Sequence, residues 1–309
     1  MRVLKTEDMI AVAYPKINIG LCVLRKREDG YHDLDTLFYP LTGCKWNDVL
    51  EINKAEAFSI AIEGADWDPL DDLTAKAWRL LRDEYGIGPV SIRIRKGIPV
   101  GAGLGGGSSD CALALKMISS LYGLNLSNGT LEQLAGRLGS DCAFFICNTP
   151  QWGSGRGEIL TPASIDLSDY EILLEIPEGS HISTAEAYRG IHPHIPEVQL
   201  RDALAQPITQ WKGKVVNDFE ASVFPSHPEI AALKQQLYNE GALYASMTGS
   251  GSAVFGIFGT STQALRRHHP AAPQWWGRAK RDGSEGHCLT ATQGAKANET
   301  TERKPRGAD

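Results

Sequence analysis

The chain has 309 residues, of which 42% are apolar and 22% charged, and a formal net charge of −6. This is the composition of a globular protein with room for two modest domains or one large one. The negative charge argues against chain-wide attraction to nucleic acid or to an anionic membrane, so a polyanionic substrate must meet positive charge that is placed locally.

The sequence shows no sign of a membrane or export segment. No stretch reaches the roughly 18 apolar residues of a membrane helix. The start, MRVLKTEDMI, lacks the basic residues followed by an apolar run that a signal peptide shows. We therefore expect a cytoplasmic protein, or one whose start has been trimmed, that binds neither nucleic acid nor membrane.

The cysteines are predicted to be reduced thiols, most of them small core residues, because the chain contains no C-x-x-C pair. They are Cys22, Cys44, Cys111, Cys142, Cys147 and Cys288. We accordingly predict no metal site built from the protein's own side chains.

Strand-forming segments and one hairpin make up the start of the chain. Residues 9–13 are apolar enough for a strand, and Pro15 indicates an edge or a strand end just before Lys16. The polar run 25–30 ends in Asp-Gly, which suits a hairpin turn, and the strand-like residues 34–41 follow it.

Two helices flank the densest glycine stretch of the chain. Residues 71–85 place apolar side chains on one helical face, and residues 90–94 alternate as a strand does. The glycine stretch 101–107 leads into a helix with Gly123 at its C-terminal cap. Its apolar stripe at helical spacing comprises Cys111, Ala114, Leu115, Ile118, Leu121 and Tyr122.

A domain boundary is predicted near the middle of the chain. Thr130 begins a capping box for a short helix that ends at residues 139–141. The segment 149–162 is rich in glycine and turn residues, so we place the boundary there. The predicted domains are residues 1–155 and 156–279.

The second half alternates strands and helices. Residues 172–176 and 253–258 are predicted strands, and residues 228–239 are a predicted helix. Residues 280–309 are polar, charged and aperiodic, and we predict a disordered tail there.

The loop GAGLGGGSSD, residues 101–110, joins a predicted strand to a helix. Successive backbone N–H groups and the helix N-terminus form an anion cradle, and glycine lets the backbone approach phosphate oxygens closely. The alternative is a flexible connector. Five glycines in residues 101–107, directly before an amphipathic helix, favour the cradle.

The same loop satisfies G-x-G-x-x-G, the dinucleotide fingerprint, through Gly101, Gly103 and Gly106. That fingerprint expects an acidic residue about 20 positions on, at the end of a second strand, where this chain ends one helix and starts another. No Lys precedes Ser108, as a Walker loop requires, and the protein-kinase strings H-R-D and D-F-G are absent. A phosphate cradle of another class is therefore favoured, with a dinucleotide-binding oxidoreductase as an alternative.

Two further segments are weaker signals when taken alone. Residues 245–252 hold Gly249 and Gly251 among hydroxyl side chains, which suits close approach to phosphate but also suits an ordinary turn. Lys16 lies in an apolar strand context beside Asn18, so it needs an anionic partner or an exit to solvent.

Together these segments resemble the GHMP kinases, which carry a Lys-bearing strand, a loop of the type P-x-x-x-G-L-G-[GS]-G-S-S and a second Gly-Ser loop near the C-terminus. Here these are Lys16, residues 99–109 and residues 248–252, in the same order. Further strings resemble one branch of that superfamily, the diphosphocytidyl-methylerythritol kinases. They are Asp29-Gly30-Tyr31-His32, Thr36-Leu37-Phe38, AGLGGGSSDCA, Leu138-Gly139-Ser140-Asp141, Ser183-Thr184-Ala185-Glu186-Ala187-Tyr188 and Asn217-Asp218-Phe219-Glu220, within about residues 9 to 260.

The resemblance implies a two-domain α+β fold with the active site in the cleft between the domains. It implies transfer of the ATP γ-phosphoryl group, with Mg²⁺, to a hydroxyl of a CDP-linked sugar alcohol, 4-diphosphocytidyl-2-C-methyl-D-erythritol, in the non-mevalonate isoprenoid route. The expected partners are these two small molecules, and the expected assembly is a monomer or a homodimer.

The resemblance also implies roles for particular residues. Lys16 and Asp141 would face each other across the acceptor hydroxyl as the catalytic pair. The residues implied for ATP are Lys96, Pro99, Gly101, Gly103, Leu104, Gly105, Gly106, Gly107, Ser108 and Ser109. The residues implied for the CDP-linked substrate are Asn18, Tyr31, His32, Phe38, Thr184 and Tyr188.

Two positions depart from the family pattern. Pro15 stands where a small residue is common, and Asp72 stands where Asn is expected beside the nucleotide base. The alternatives are a GHMP kinase for another alcohol, such as mevalonate or homoserine, and a GHMP-fold binding protein without catalysis. The G-Y-H and G-G-G-S-S strings speak against the other alcohols, and the presence of both Lys16 and Asp141 speaks against a binding protein.

Overall fold

The computed structural model describes residues 9–260 and the two-residue strand 277–278, so the predicted tail 280–309 lies outside the described residues. In chain order the strands are β1 Met9–Ala13, β2 Lys16–Lys26, β3 His32–Pro40, β4 Asp48–Lys54, β5 Ser59–Glu63, β6 Val90–Arg95, β7 Gln151–Gly155, β8 Ile159–Pro162, β9 Tyr170–Glu175, β10 Tyr244–Met247, β11 Val254–Gly259 and β12 Gly277–Arg278. The helices are α1 Leu73–Tyr85, α2 Gly106–Leu121, α3 Asn128–Gly136, α4 Phe144–Cys147, α5 Thr184–Arg189, α6 Leu200–Leu204, α7 Phe219–Val223 and α8 Pro228–Asn239, with 3-10 turns at Pro69–Asp71 and Ile208–Gln210.

The described strands form three four-stranded sheets. The N-terminal sheet has the order β1-β4-β6-β5, the central sheet β2-β3-β7-β8, and the C-terminal sheet β10-β11-β9-β12. The paired strands run antiparallel except β5 and β6, which are parallel. This confirms the α+β prediction, and it is not the parallel βαβ sheet that the dinucleotide fingerprint needs.

The central sheet contributes to three hydrophobic cores. Phe38 packs with α1, α2 and the N-terminal sheet, whereas Ile17 and Leu37 pack with the C-terminal sheet. Leu21 and Val23 join a third core beneath α7 and α8. Side chains of β2 and β3 therefore pack both with the N-terminal sheet and with the C-terminal sheet.

Helix α2 ties the glycine loop to the N-terminal core. Cys111, Ala114, Leu115 and Ile118 of the predicted stripe are fully buried, and Tyr122 packs partly buried against the same core. Burying this apolar face stabilises the helix by the hydrophobic effect. The glycine loop, which leads into the N-terminus of α2, is therefore held in place at that end.

Two helices begin at other residues than predicted, because of the side chains that cap them. Helix α1 begins at Leu73 because the Asp72 carboxylate accepts the Thr74 N–H at 2.8 Å as its N-cap. Helix α3 begins at Asn128 because Ser127 accepts the Thr130 N–H, so the prediction that Thr130 starts a capping box was wrong.

The glycine-rich segment 149–162 is a hairpin, not the turn region that we predicted. β7 pairs with β8 from Gln151↔Pro162 to Ser154↔Ile159, so glycines 153 and 155 lie in a strand. The predicted boundary between residues 155 and 156 falls within this hairpin, and the division into 1–155 and 156–279 stays a prediction.

No helix among residues 9–260 has both the length and the apolar character needed to cross a bilayer. All five cysteines in this range are free thiols, and only Cys147 is exposed. The same residues contain no group of three or more His, Cys, Asp or Glu side chains placed to hold a metal ion.

Candidate active site

A cleft of about 860 Å³ lies where the central sheet meets the glycine loop and α5. It brings together all but one of the predicted site residues, and the exception is Ser109. Those lining it are Lys16, Asn18, Tyr31, His32, Phe38, Lys96, Pro99, Gly101, Gly103, Leu104, Gly105, Gly106, Gly107, Ser108, Asp141, Thr184 and Tyr188.

The glycine loop packs directly on the second Gly-Ser loop. Gly103 has a φ of +77°, and a Cβ there would overlap the carbonyl oxygen of Thr248. A Cβ on Gly249 would in turn lie 2.9 Å from the Gly103 carbonyl oxygen. Only glycine allows this backbone approach with a left-handed φ, which explains why both loops are glycine-rich.

Buried polar contacts fix the second loop. The Asn217 amide donates to the carbonyls of Met247 and Gly249 at 2.8 and 2.9 Å. The Thr248 hydroxyl accepts the backbone N–H of Asn18 at 2.9 Å. The second loop is therefore joined to β2 beside Lys16, so both loops and the lysine form one connected unit.

Lys16 is 3% exposed, and its ammonium is surrounded by acceptors. It donates to the Asn18 side-chain oxygen at 2.6 Å and to the Gly103 carbonyl at 2.9 Å, and it lies 3.5 Å from Asp141 Oδ2. Burial lowers the pKa of Lys16, and the Asp141 charge opposes that shift. Because all three neighbours are acceptors, the arrangement suits a protonated amine.

Asp141 lies in a turn before α4, and its side chain is 32% exposed. Its carboxylate reaches both Lys16 and the cleft. It does not cap a helix, because the N-cap position of α4 is Ala143, which makes no side-chain capping bond. Helix α4 begins only at Phe144, so the Asp141 carboxylate is not used in capping and can meet a substrate.

Lys96 borders the cleft, but its ammonium forms ion pairs with two carboxylates, those of Asp48 and Asp110. Nζ lies 2.5 Å from Asp48 Oδ2 and 2.8 Å from Asp110 Oδ2, and all three side chains are at most 6% exposed. The other Asp48 oxygen accepts the N–H groups of Gly97 and Ile98 at 2.6 and 2.8 Å. The cluster therefore anchors the segment that leads into the glycine loop.

If both carboxylates in this cluster were ionised, two negative charges would face the single ammonium of Lys96. Burial raises the pKa of Asp110 to about 8, and the Lys96 charge only partly opposes this. One Asp110 oxygen is buried without a hydrogen-bond partner. Burial alone would lower the pKa of Lys96, but Asp110 and Asp48 together raise it.

The two serines that were predicted to bind ATP, Ser108 and Ser109, have different surroundings. Ser108 lines the cleft at the start of α2. Ser109 is 4% exposed, and its hydroxyl donates to the Tyr14 carbonyl at 2.8 Å. Ser109 therefore holds α2 against the chain before β2, and its hydroxyl is already used within the protein.

Aromatic side chains form the other end of the cleft. His32 and Tyr188 stack at 4.8 Å with an interplanar angle of 21°, and Tyr188 packs edge-on against Phe219. Tyr31 is 54% exposed and lies under the Arg156 guanidinium, 4.7 Å from it. Burial lowers the pKa of His32, with a smaller contribution from Lys26, so the imidazole tends towards its neutral form.

Several cleft residues were not predicted from the sequence. Trp67, Leu73, Arg156 and Ser250 all line the cleft. Arg156 follows β7, in the segment that the sequence pattern predicts to be a turn region. Nothing in the local pattern around these residues distinguishes them from surface positions.

Asp72, the departure from the family pattern, is used in capping. Its carboxylate accepts the Thr74 N–H and hydroxyl at 2.8 and 2.7 Å, and the Trp67 indole N–H at 3.2 Å. Through this last bond it orients Trp67, which lines the cleft.

Comparisons with known proteins show which family the chain belongs to. The GHMP kinases N terminal domain matches residues 72–149, and the GHMP kinases C terminal domain matches residues 200–271. The 4-diphosphocytidyl-2-C-methyl-D-erythritol kinase of Bacteroides thetaiotaomicron is 46% identical over 81% of this chain and 92% of its own length. The chain belongs to the 4-diphosphocytidyl-2-C-methyl-D-erythritol kinases of the GHMP superfamily. The relative of the same name from Cytophaga hutchinsonii is 43% identical over 84% of this chain and 96% of its own length.

Solved structures support the same family. A crystal structure of 4-(cytidine 5'-diphospho)-2C-methyl-D-erythritol kinase has a TM-score of 0.67 and 31% identity, over 81% of this chain and 90% of that one. The mevalonate kinase of Methanococcus jannaschii has a TM-score of 0.62 over 85% of this chain and 95% of its own, but only 13% identity. The second likeness shows the common GHMP fold alone. The resemblance inferred from the sequence motifs is therefore confirmed.

Proposed function

We propose that the chain transfers the γ-phosphoryl group of ATP to the 2-hydroxyl of 4-diphosphocytidyl-2-C-methyl-D-erythritol, hereafter the cytidine substrate, to give its 2-phosphate in the non-mevalonate isoprenoid route. The observation that carries the proposal is the Lys16–Asp141 pair, 3.5 Å apart in the cleft that the glycine loop also lines. Relatives that are 46% and 43% identical bear the corresponding name.

In this proposal Asp141 accepts the proton of the acceptor hydroxyl, or orients that hydroxyl, as the phosphoryl group arrives. Phosphoryl transfer needs mainly positioning and charge neutralisation. Lys16 supplies positive charge beside the migrating group, and its bonds to Asn18 and Gly103 hold the ammonium in place.

The glycine loop is the proposed site for the ATP phosphates. Its backbone and the N-terminus of α2 face the cleft, where N–H groups and the helix dipole attract anions. Gly107 supports this assignment, because the space where its Cβ would lie is open. Trp67 and Leu73 would border the nucleotide base, while Lys96 shapes the site through its stem because its ammonium is paired.

The aromatic end of the cleft is the proposed cytidine site. A pyrimidine can stack on the rings of Tyr31 or Tyr188, and the His32 imidazole can hydrogen-bond its edge. Thr184 and Asn18 also line the cleft, and their polar side chains suit the sugar-alcohol or diphosphate portion.

A magnesium ion fits this site only as part of the nucleotide complex. Mg²⁺ retains several waters and is commonly held by one or two protein oxygens together with substrate phosphates. The hydroxyl of Ser108 is the cleft side chain placed at the start of α2 for such a shell. When bound, Mg²⁺ would neutralise charge on the phosphates.

A cytoplasmic location and a monomeric or homodimeric state remain predictions. The deciding experiment for function is ADP release from ATP with three acceptors: the cytidine substrate, mevalonate and homoserine. We expect turnover with the cytidine substrate and a kcat/KM at least about 100-fold lower with the other two, because they leave the aromatic end of the cleft empty. Turnover with mevalonate or homoserine alone would refute the substrate assignment, and tight NADH binding without ADP release would refute kinase activity.

A further inference from the structure

The short helix α5 carries part of the substrate wall. It has 6 residues and places Thr184 and Tyr188 on the cleft. A helix this short is not stable by itself in water, so its position depends on its neighbours. Ser183 caps it by accepting the N–H of Glu186 at 3.1 Å, and Tyr188 packs on Phe219.

On the side away from the cleft, an imidazole joins α5 to α8. His227 immediately precedes α8, and its backbone N–H donates to the Val223 carbonyl at 3.0 Å. Its Nε2 lies 3.1 Å from Glu186 Oε1 of α5, and its Nδ1 lies 3.3 Å from Glu229 Oε1 of α8. The side chain is 20% exposed, so water competes only partly for these bonds.

The same network reaches the segment that leads into α5. Glu229 Oε1 also accepts the Ser180 hydroxyl at 2.8 Å. The Ser180 carbonyl in turn accepts the hydroxyl of Ser252 at 2.8 Å, and Ser252 belongs to the second Gly-Ser loop. Both the segment before α5, through Ser180 and Glu229, and the first turn of α5, through Glu186, are thus linked to His227.

We propose that His227 is a positioning residue for the cytidine substrate, because it holds α5 through paired hydrogen bonds to Glu186 and Glu229 so that Thr184 and Tyr188 face the cleft. This role rests on the proposed function for the identity of the substrate. His227 itself does not line the cleft and acts through α5.

The pair of hydrogen bonds from His227 to Glu186 and Glu229, hereafter the clamp, depends on protonation of the His227 imidazole. A doubly protonated imidazole donates to both carboxylates, whereas a neutral one can donate to only one of them. The hydrogen bond to Glu186 raises the pKa of His227, and Glu229 adds to the increase. Among the described residues these are the charged groups that act on it, while Ser180 contributes a hydroxyl through Glu229.

The sign of the pH effect follows from the raised pKa. The clamp is complete below the ordinary histidine value of about 6.5, and it loosens as pH rises through the higher value in the folded protein. The KM for the cytidine substrate should therefore rise as pH rises across that range.

The test compares His227→Gln, Glu186→Gln and a control, His192→Gln, which replaces an exposed histidine of the same half. At about pH 6 we expect His227→Gln to raise the KM for the cytidine substrate about tenfold, the scale of losing one charge-assisted hydrogen bond. The KM for ATP should not change, and the ratio of variant to wild-type KM for the cytidine substrate should fall from about ten towards one as pH rises. Glu186→Gln should raise the same KM by about threefold, and His192→Gln should match the wild type.

His32 lines the cleft and also titrates, so the readout is the ratio of variant to wild-type KM at each pH. A ratio that stays at one for His227→Gln would overturn the positioning role, as would a lowered melting temperature with an unchanged KM. If the wild type shows no turnover with the cytidine substrate, the proposed function fails and the positioning role falls with it. Wild-type turnover with unaffected variants overturns the positioning role alone.

Discussion

Replacing Gly107 with valine tests the phosphate role of the glycine loop without disturbing its packing. A Cβ at Gly107 meets no atom within 4 Å, whereas one at Gly106 lies 3.0 Å from Ile98 Cγ2. Gly103 is worse, because it needs a left-handed φ and backs onto Thr248. Of these three cleft glycines, Gly107 is therefore the one where an added side chain would occupy cleft space without displacing neighbouring protein atoms.

The expected effect on stability is small and that on ATP is large. Exchanging glycine for valine within a helix changes stability by under about 1 kcal/mol, or a few degrees at most in a chain of this size. A branched side chain in the phosphate space would remove one or two charge-assisted N–H bonds, about 3 kcal/mol in total. At 1.4 kcal/mol per tenfold, the KM for ATP should rise about 100-fold.

The control is Gly136→Val. Gly136 lies in α3, away from the cleft, and a Cβ there also meets nothing within 4 Å. Steady-state kinetics with ATP varied, isothermal calorimetry with a non-hydrolysable ATP analogue, and thermal melts of both variants complete the assay. A KM for ATP within about threefold of wild type in a folded Gly107→Val protein would refute the cradle, since phosphate contacts cannot tolerate that side chain.

Two further predictions concern the aromatic end of the cleft and the buried cluster of Lys96, Asp48 and Asp110. His32→Ala should raise the KM for the cytidine substrate about tenfold to 100-fold while the ATP value stays constant, since base contacts are worth about 1–3 kcal/mol each; equal effects on both substrates would contradict base recognition. The pKa of Asp110 is raised to about 8 by burial, so its stabilising contribution is present at low pH and lost as pH rises towards that value. Asp110→Asn should therefore gain melting temperature relative to wild type between about pH 5 and pH 8, and a difference that is constant with pH would show that Asp110 does not titrate there.

Much of the fold and site could be predicted from the sequence because several patterns were locally complete. The stripe from Cys111 to Ile118 specified α2 and its buried face. The glycine string 101–107 predicted a loop that needs glycine, and in the structure Gly101, Gly103 and Gly105 have left-handed φ values that favour glycine. The motif order then brought Lys16 and Asp141 together, although 125 positions separate them in the sequence.

What the sequence did not reveal depends on long-range partners. Lys96 was predicted to contact the nucleotide, but its charge is held by Asp48, which lies 48 positions earlier. Ser109 turns to the Tyr14 carbonyl, a backbone group that no motif indicates. The hairpin β7–β8 was not predicted because its glycines are typical of turns, and pairing with β3 and β8 makes β7 a strand.

The most direct test of the central claim is the turnover of Asp141→Asn with ATP and the cytidine substrate. The substitution keeps the shape of the side chain and removes the carboxylate that lies 3.5 Å from Lys16. If Asp141 takes or orients the proton of the acceptor hydroxyl, kcat should fall by about 10²–10⁴-fold, the range for general acid–base groups, while both KM values and the melting temperature stay close to wild type. A folded Asp141→Asn protein with kcat within about threefold of wild type would contradict the account, because the pair would then be structural only.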